Sequence, residues 1–132
     1  MYQGSCLCGE VKYELTGEIG SGLFCHCSRC RKANGSAFAA NAPIATADLR
    51  IVSGAALLKR FSTAEGVHRV FCSNCGSPLF SRRDHAPETL RLRLGTLDTP
   101  LTRGPQAHIF TASKAEWFEI NDSLPQFPQR PE

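Results

Sequence analysis

The chain has 132 residues, with 15 lysines and arginines against 12 acidic residues, a net charge of +3. That length predicts one domain, residues 1–132, able to bury roughly two thirds of its unfolded surface. Hydrophobic residues at 42% and charged residues at 20% exclude wholesale disorder. A charge this mild, without acidic or basic blocks, gives no argument for a nucleic-acid or membrane-surface partner.

In chain order, the segment after Met1 lacks the basic start and apolar stretch of a secretory signal. Val11, Tyr13 and Leu15 alternate with Lys12, Glu14 and Thr16, the period of a half-buried strand. Shorter strands are predicted over Leu23–Cys27, Ser36–Ile44, Leu49–Val52, Leu57–Phe61, Val67–Phe71 and Leu79–Arg82. Leu90, Leu92 and Leu94 then alternate with Arg91 and Arg93, which reads as a strand with its arginines on the solvent side. Glycines at 35, 54, 66, 76, 95 and 104 suit turns between these segments. Helix is confined to one or two short turns: Ser28–Ala33, capped by Ser28 and ended at Asn34-Gly35, and Ser113–Phe118. Three prolines from Pro125 onward predict a partly frayed tail. Trp117 and Phe24, Phe38, Phe71, Phe80 and Phe110 are expected in the core. The class is mainly β, built of curled antiparallel sheets.

Seven cysteines are the unusual feature, and an odd number cannot be consumed by disulfides within one chain. With no export signal and no long apolar run, the expected location is cytoplasmic, a reducing compartment where clustered cysteines serve as metal ligands or redox groups. They fall into a C-x-C (Cys6, Cys8), a C-x-C-x-x-C (Cys25, Cys27, Cys30) and a C-x-x-C (Cys72, Cys75). Zinc binds thiolates tetrahedrally at about 2.3 Å, so ligands close in sequence come from tight turns, which Gly76 after Cys75 favours. Seven ligands divide into one closed site of four and one site of three with an open position, the pattern of catalytic zinc. Spacing leaves the assignment open: Cys6, Cys8, Cys72 and Cys75 form one grouping, and Cys25, Cys27, Cys72 and Cys75 another. One four-thiolate site with three spare thiols is the plainer alternative.

The segments Gly4-Ser5-Cys6-Leu7-Cys8-Gly9-Glu10-Val11-Lys12-Tyr13, Cys25-His26-Cys27-Ser28-Arg29-Cys30-Arg31-Lys32 and Phe71-Cys72-Ser73-Asn74-Cys75-Gly76-Ser77-Pro78-Leu79 resemble the glutathione-dependent formaldehyde-activating enzyme family, which includes the centromere protein V domain. Gly95-Thr96-Leu97-Asp98, His108-Ile109-Phe110, Trp117 and Leu124-Pro125-Gln126-Phe127 extend the resemblance over nearly the whole chain, although this chain is shorter than members given that name. The resemblance implies a zinc-bound β-tent fold similar to that of methionine sulfoxide reductase B. It implies a structural zinc on Cys6, Cys8, Cys72 and Cys75 and a second, catalytic zinc on Cys25, Cys27 and Cys30. The implied activity is that of a carbon–sulfur lyase joining formaldehyde to glutathione to give S-(hydroxymethyl)glutathione.

Around the triplet, Arg29, Arg31 and Lys32 are candidate partners for glutathione carboxylates, against a reading as solvated helix charges. His26, between two ligands, is expected to point away from the metal. His108 is a candidate proton shuttle or donor behind the site, against a satisfied core histidine. Two other classes compete with the enzyme. A non-catalytic zinc module would bind a protein or nucleic acid, yet the arginines form no basic stripe interleaved with aromatics. A redox protein would need a cysteine free of metal beside a resolving partner.

Overall fold

A computed structural model describes residues 1–131. Its strands in chain order are β1 (Tyr2–Ser5), β2 (Lys12–Leu15), β3 (Leu23–Cys25), β4 (Ala39–Ala45), β5 (Leu49–Ser53), β6 (Leu58–Ser62), β7 (Val67–Cys72), β8 (Pro78–Arg83), β9 (Ala86–Arg93) and β10 (Ala107–Ile109). A helix, α1 (Ser28–Asn34), lies between β3 and β4, and short 3-10 turns link several strands. Two sheets result: three strands ordered β1-β2-β5, and seven ordered β10-β3-β4-β9-β8-β7-β6. The mainly β, antiparallel architecture is the one expected. One pairing differs, because β10 runs parallel to β3 and places Ile109 beside Cys25. Three residues are too few for alternation to show, which is why β10 escapes a reading of the sequence.

The main core lies between the sheets. Val11, Leu15, Cys72 and Leu92 are fully enclosed there, with Tyr13, Ile44, Leu79 and Leu90. Burial pushes the Tyr13 hydroxyl up to about 12, and that hydroxyl pairs with Thr96 Oγ1 at 2.7 Å. Successive side chains of a strand face opposite ways, so Leu90 and Leu92 enter this core while Arg91 and Arg93 face the other side of the seven-stranded sheet. A second, smaller cluster of Cys25, Cys30, Ala39 and Ile109 covers that side. Arg93 is 5% exposed there. The alternation was legible, but the expected solvent side is covered, and its arginines are the correction.

The helix is capped one residue earlier than expected. Cys27 has extended backbone, and its Sγ accepts from the Cys30 amide at 3.3 Å, doing what Ser28 was expected to do. Gly35, in the left-handed conformation, ends the helix as expected. No helix forms over 113–118. A 3-10 turn spans Thr111–Ser113 instead, and the Lys114 ammonium takes the carbonyls of Ala115 and Phe118. Trp117 falls in the turn that follows and is 71% exposed, so it is not a core residue. The five phenylalanines are partly buried. The tail from Pro125 is held by the β10 segment: His108 N donates to Pro125 O and Phe127 N to His108 O, both at 2.9 Å.

Candidate metal centres and the arginine cleft

Folding gathers all seven sulfurs into two groups, Cys6, Cys8, Cys72 and Cys75 in one, Cys25, Cys27 and Cys30 in the other, each with its sulfurs within 4.8 Å of one another. The alternative pairing of Cys25 and Cys27 with Cys72 and Cys75 is therefore excluded. In the group of four, Cys6 and Cys8 sulfurs are 3.5 Å apart, and Cys8 and Cys72 sulfurs 3.9 Å. A tetrahedron with metal–sulfur bonds of about 2.3 Å has edges of about 3.8 Å, so the donor set fits zinc.

Both chain segments of this group turn on a glycine, over three residues in one and four in the other. Gly9 N bonds Cys6 O at 3.1 Å and Gly76 N bonds Cys72 O at 2.8 Å, each glycine at a φ near +80° that side chains disfavour. Backbone amides serve the sulfurs, as Val11 N does for Cys6 Sγ at 3.3 Å. Ser77, with its hydroxyl 3.3 Å from Cys75 Sγ, holds the Cys75 thiol down to about 5, while burial pushes Cys72 up to about 11. Leu7 N donates to Ser77 Oγ at 2.8 Å, so one serine ties the amino-terminal knuckle to the distant one.

The group of three sits where β3 runs into α1. Hydrogen bonds from the thiols of Cys25 and Cys30, helped by the Cys30 and Arg29 amides, hold Cys27 far below the ordinary thiol range. Cys25, bonded to Cys27 and buried, is pushed up in turn. Behind the triplet stands Arg93, whose Nη1 reaches Arg91 O at 3.3 Å while its Nε has no partner. Burial lowers both Arg91 and Arg93 to about 10, far enough above neutrality to leave them charged. Neither forms an ion pair with a carboxylate among the described residues. A buried cation without an anion is costly, and against the like charge of Arg69 the groups that favour the charged form of Arg93 are the triplet's Cys30, Cys25 and Cys27. The setting fits a triplet held as thiolates, the form that binds metal.

Beside the triplet opens a cleft of about 180 Å³, into which Cys25, Cys30, Asn41, Arg83, Arg91 and Arg130 all project. Arg29, Arg31 and Lys32 do not line it. Arg29 bonds Glu65 at 3.2 Å, Lys32 is exposed, and Arg31 keeps a buried Nε without a partner. The cleft's own arginines were missed because positions 83, 91 and 130 lie far apart in sequence. Only the alternating Arg91-Leu92-Arg93 offered a signal.

His26 points away from the triplet into a buried relay. His26 Nε2 lies 2.8 Å from His108 Nδ1, and His108 Nε2 lies 2.9 Å from Asp122 Oδ2. The carboxylate accepts from His108 Nε2, so His108 Nδ1 accepts in turn from His26 Nε2. His26 Nδ1 is left as a buried acceptor without a partner. Burial, then the neighbouring His108 and Lys114, push His26 down to about 4, and it is neutral at pH 7. The relay braces the loop between Cys25 and Cys27 against β10.

Residues 1–113 match the family model of the glutathione-dependent formaldehyde-activating enzyme. A Halomonas elongata protein provisionally named as such an enzyme is 32% identical over 129 residues, covering 91% of this chain and 81% of that one. An Aspergillus flavus protein with the same provisional name is 29% identical over 79 residues, 58% of this chain and 41% of its own length. A crystal structure of a Rhodobacter sphaeroides protein superposes with a TM-score of 0.63 at 29% identity, covering 76% of this chain and 92% of that one. The three cysteine motifs, the way they divide into two groups and these matches together place the chain in the glutathione-dependent formaldehyde-activating enzyme family.

Proposed function

We propose that the chain is a zinc-dependent enzyme of the carbon–sulfur lyase class that joins formaldehyde to glutathione, giving S-(hydroxymethyl)glutathione. In this reading Cys6, Cys8, Cys72 and Cys75 hold a structural zinc and Cys25, Cys27 and Cys30 hold a second. The observation that carries it is the asymmetry of the two groups: four sulfurs complete a tetrahedron, whereas three leave one corner unfilled beside an open cleft. Zinc held by Cys25, Cys27 and Cys30 would supply a position at which an incoming thiol would lose its proton.

The chain's own residues do the rest. Cys27, at the helix N-terminus, stays deprotonated, and Arg91 and Arg93 keep the anionic triplet from being an unpaired charge. In the reaction the sulfur forms a bond to the formaldehyde carbon, the carbonyl π pair moves to oxygen, and the proton lost by the thiol ends on that oxygen. The described lining of the cleft contains neither histidine nor carboxylate, and its hydroxyl groups are those of Ser21 and Thr89.

The experiment compares the zinc-loaded protein with Cys27→Ala, counting zinc per chain and following adduct formation above the spontaneous rate by exchange NMR. Two zinc ions and a rate that falls to background in the variant are expected. An undiminished rate after loss of one zinc refutes the reading.

A further inference from the structure

Strand pairing gathers two arginines at a place apart from the cysteine cleft. Arg69 of β7 lies opposite Ser81, Ser81 lies opposite Arg91, and Arg93 follows two residues along β9. Side chains two apart share a face, so Arg69 and Arg93 stand on the same side of the seven-stranded sheet. Both line a cavity of about 210 Å³ whose walls include Phe61, Val70, Phe71 and Phe80. No residue lines both this cavity and the cleft beside the triplet. Neither arginine forms an ion pair with a carboxylate among the described residues, and Arg69 acts on Arg93 as a like charge. Arg93 is 5% exposed, and its Nη1 reaches Ser81 Oγ and Arg91 O only at 3.5 and 3.3 Å. The triplet's sulfurs favour its charged form, yet its buried Nε has no hydrogen-bond partner. A buried guanidinium paired so poorly calls for an acceptor, and its planar fork matches a carboxylate.

The walls supply a second observation, independent of charge. Phe61 lies opposite Arg69 across the β6–β7 pair and is 64% exposed at the edge of the cavity that Val70, Phe71 and Phe80 also line. A ring at the mouth of an apolar-walled cavity gains by covering a flat apolar group. A cavity of about 150 Å³ takes a benzene ring, so this one has room for a ring that carries a carboxylate.

We propose that this cavity is a binding site for a small aromatic carboxylate, whose carboxylate group is held by Arg69 and Arg93 and whose ring lies among Phe61, Phe71 and Phe80. The site is separate from the cleft beside the triplet, and its ligand needs no sulfur. It therefore stands or falls without the proposed reaction. Charge and ring are both required: the arginines select an anion, and the phenylalanines select a flat apolar body.

The test titrates phenylacetate into the isotope-labelled, zinc-loaded protein and follows amide shifts by NMR. Saturable shifts at Arg69, Val70 and Phe71 are expected. Phenylacetamide, which keeps the ring without the charge, and acetate, which keeps the charge without the ring, should each bind about tenfold more weakly or worse. Arg69→Gln should weaken phenylacetate binding about tenfold, the loss of one charge-assisted contact. Phe61→Ala should weaken it severalfold, and because Phe61 is exposed its replacement leaves the core intact. Zinc content and circular dichroism confirm that both variants are folded. Arg130→Gln, in the other cleft, should bind phenylacetate as the wild-type protein does. No saturable binding, equal binding of the amide or of acetate, or equal binding by Arg69→Gln or Phe61→Ala overturns the site. A loss of binding in Arg130→Gln also overturns it, by moving the ligand to the cleft beside the triplet. Adduct formation in the same samples is a separate readout: its absence refutes the reaction and leaves a phenylacetate site that meets these criteria in place.

Discussion

The two cysteine groups use the same atom at nearly the same spacing, yet they are built for opposite ends. The group of four joins residues more than sixty positions apart, is clasped by Ser77, and borders the main core through Cys6 and Cys72. The group of three comes from one loop and helix start, touches a small cluster, and opens on a cleft with arginines beside it. Long-range ligands tie folding to the metal, because the unfolded chain cannot preform the site. In the proposed reading, local ligands leave folding alone and leave a corner free for chemistry.

The largest expected effect separates the groups by stability. Cys72→Ser removes a fully buried ligand, and the chain should lose its cooperative thermal transition by circular dichroism, whereas Cys27→Ser should keep it. If both variants melt alike, the division of labour is wrong. Core packing supplies the scale: Leu92→Ala, at a fully enclosed position, should cost about 2–5 kcal/mol in urea denaturation.

Chelation provides a kinetic form of the comparison. If both groups hold zinc as proposed, the one with three protein ligands beside a cleft should lose it first, so a chromogenic chelator should show two equal phases separated by about tenfold or more in rate. Cys27→Ser should erase only the fast phase. Arg93→Met, which removes the cation behind the triplet, should accelerate the fast phase severalfold and leave the slow one unchanged.

The smallest effect lies in the relay behind the triplet. His108 donating to Asp122 holds that carboxyl below its ordinary range. A depressed acid pKa stabilises the fold above the unfolded value, near pH 4, and that contribution is lost as pH falls through the lower folded value. Urea midpoints of the wild-type protein and Asp122→Asn should therefore differ at pH 6 and converge at acid pH. A constant difference across that range would show that the carboxylate charge is not what matters.

Much of this was legible before folding. The candidate metal ligands stand in motifs whose spacing is imposed by turns of a few residues, and the glycines after Cys8 and Cys75 mark those turns. The strands of the main core were legible too, because burial on one face leaves a period of two. What failed were readings that depend on the other face. Arg91 and Arg93 looked like solvent charges because a strand does not record what covers it, and Trp117 looked like core because size alone does not bury a side chain.

The sequence by itself determined the ligand inventory, its local geometry and the mainly β class, since each is encoded within a few residues of backbone. The tertiary structure decided which pairs of cysteines meet, and it sets the group of three beside a charged cleft. Arg83, Arg91, Arg130 and Asn41 are brought together by strand pairing, by the parallel β10 and by a tail returning past Phe110. Charges so far apart along the chain meet only when the strands pair and the tail returns, and no local pattern announces that.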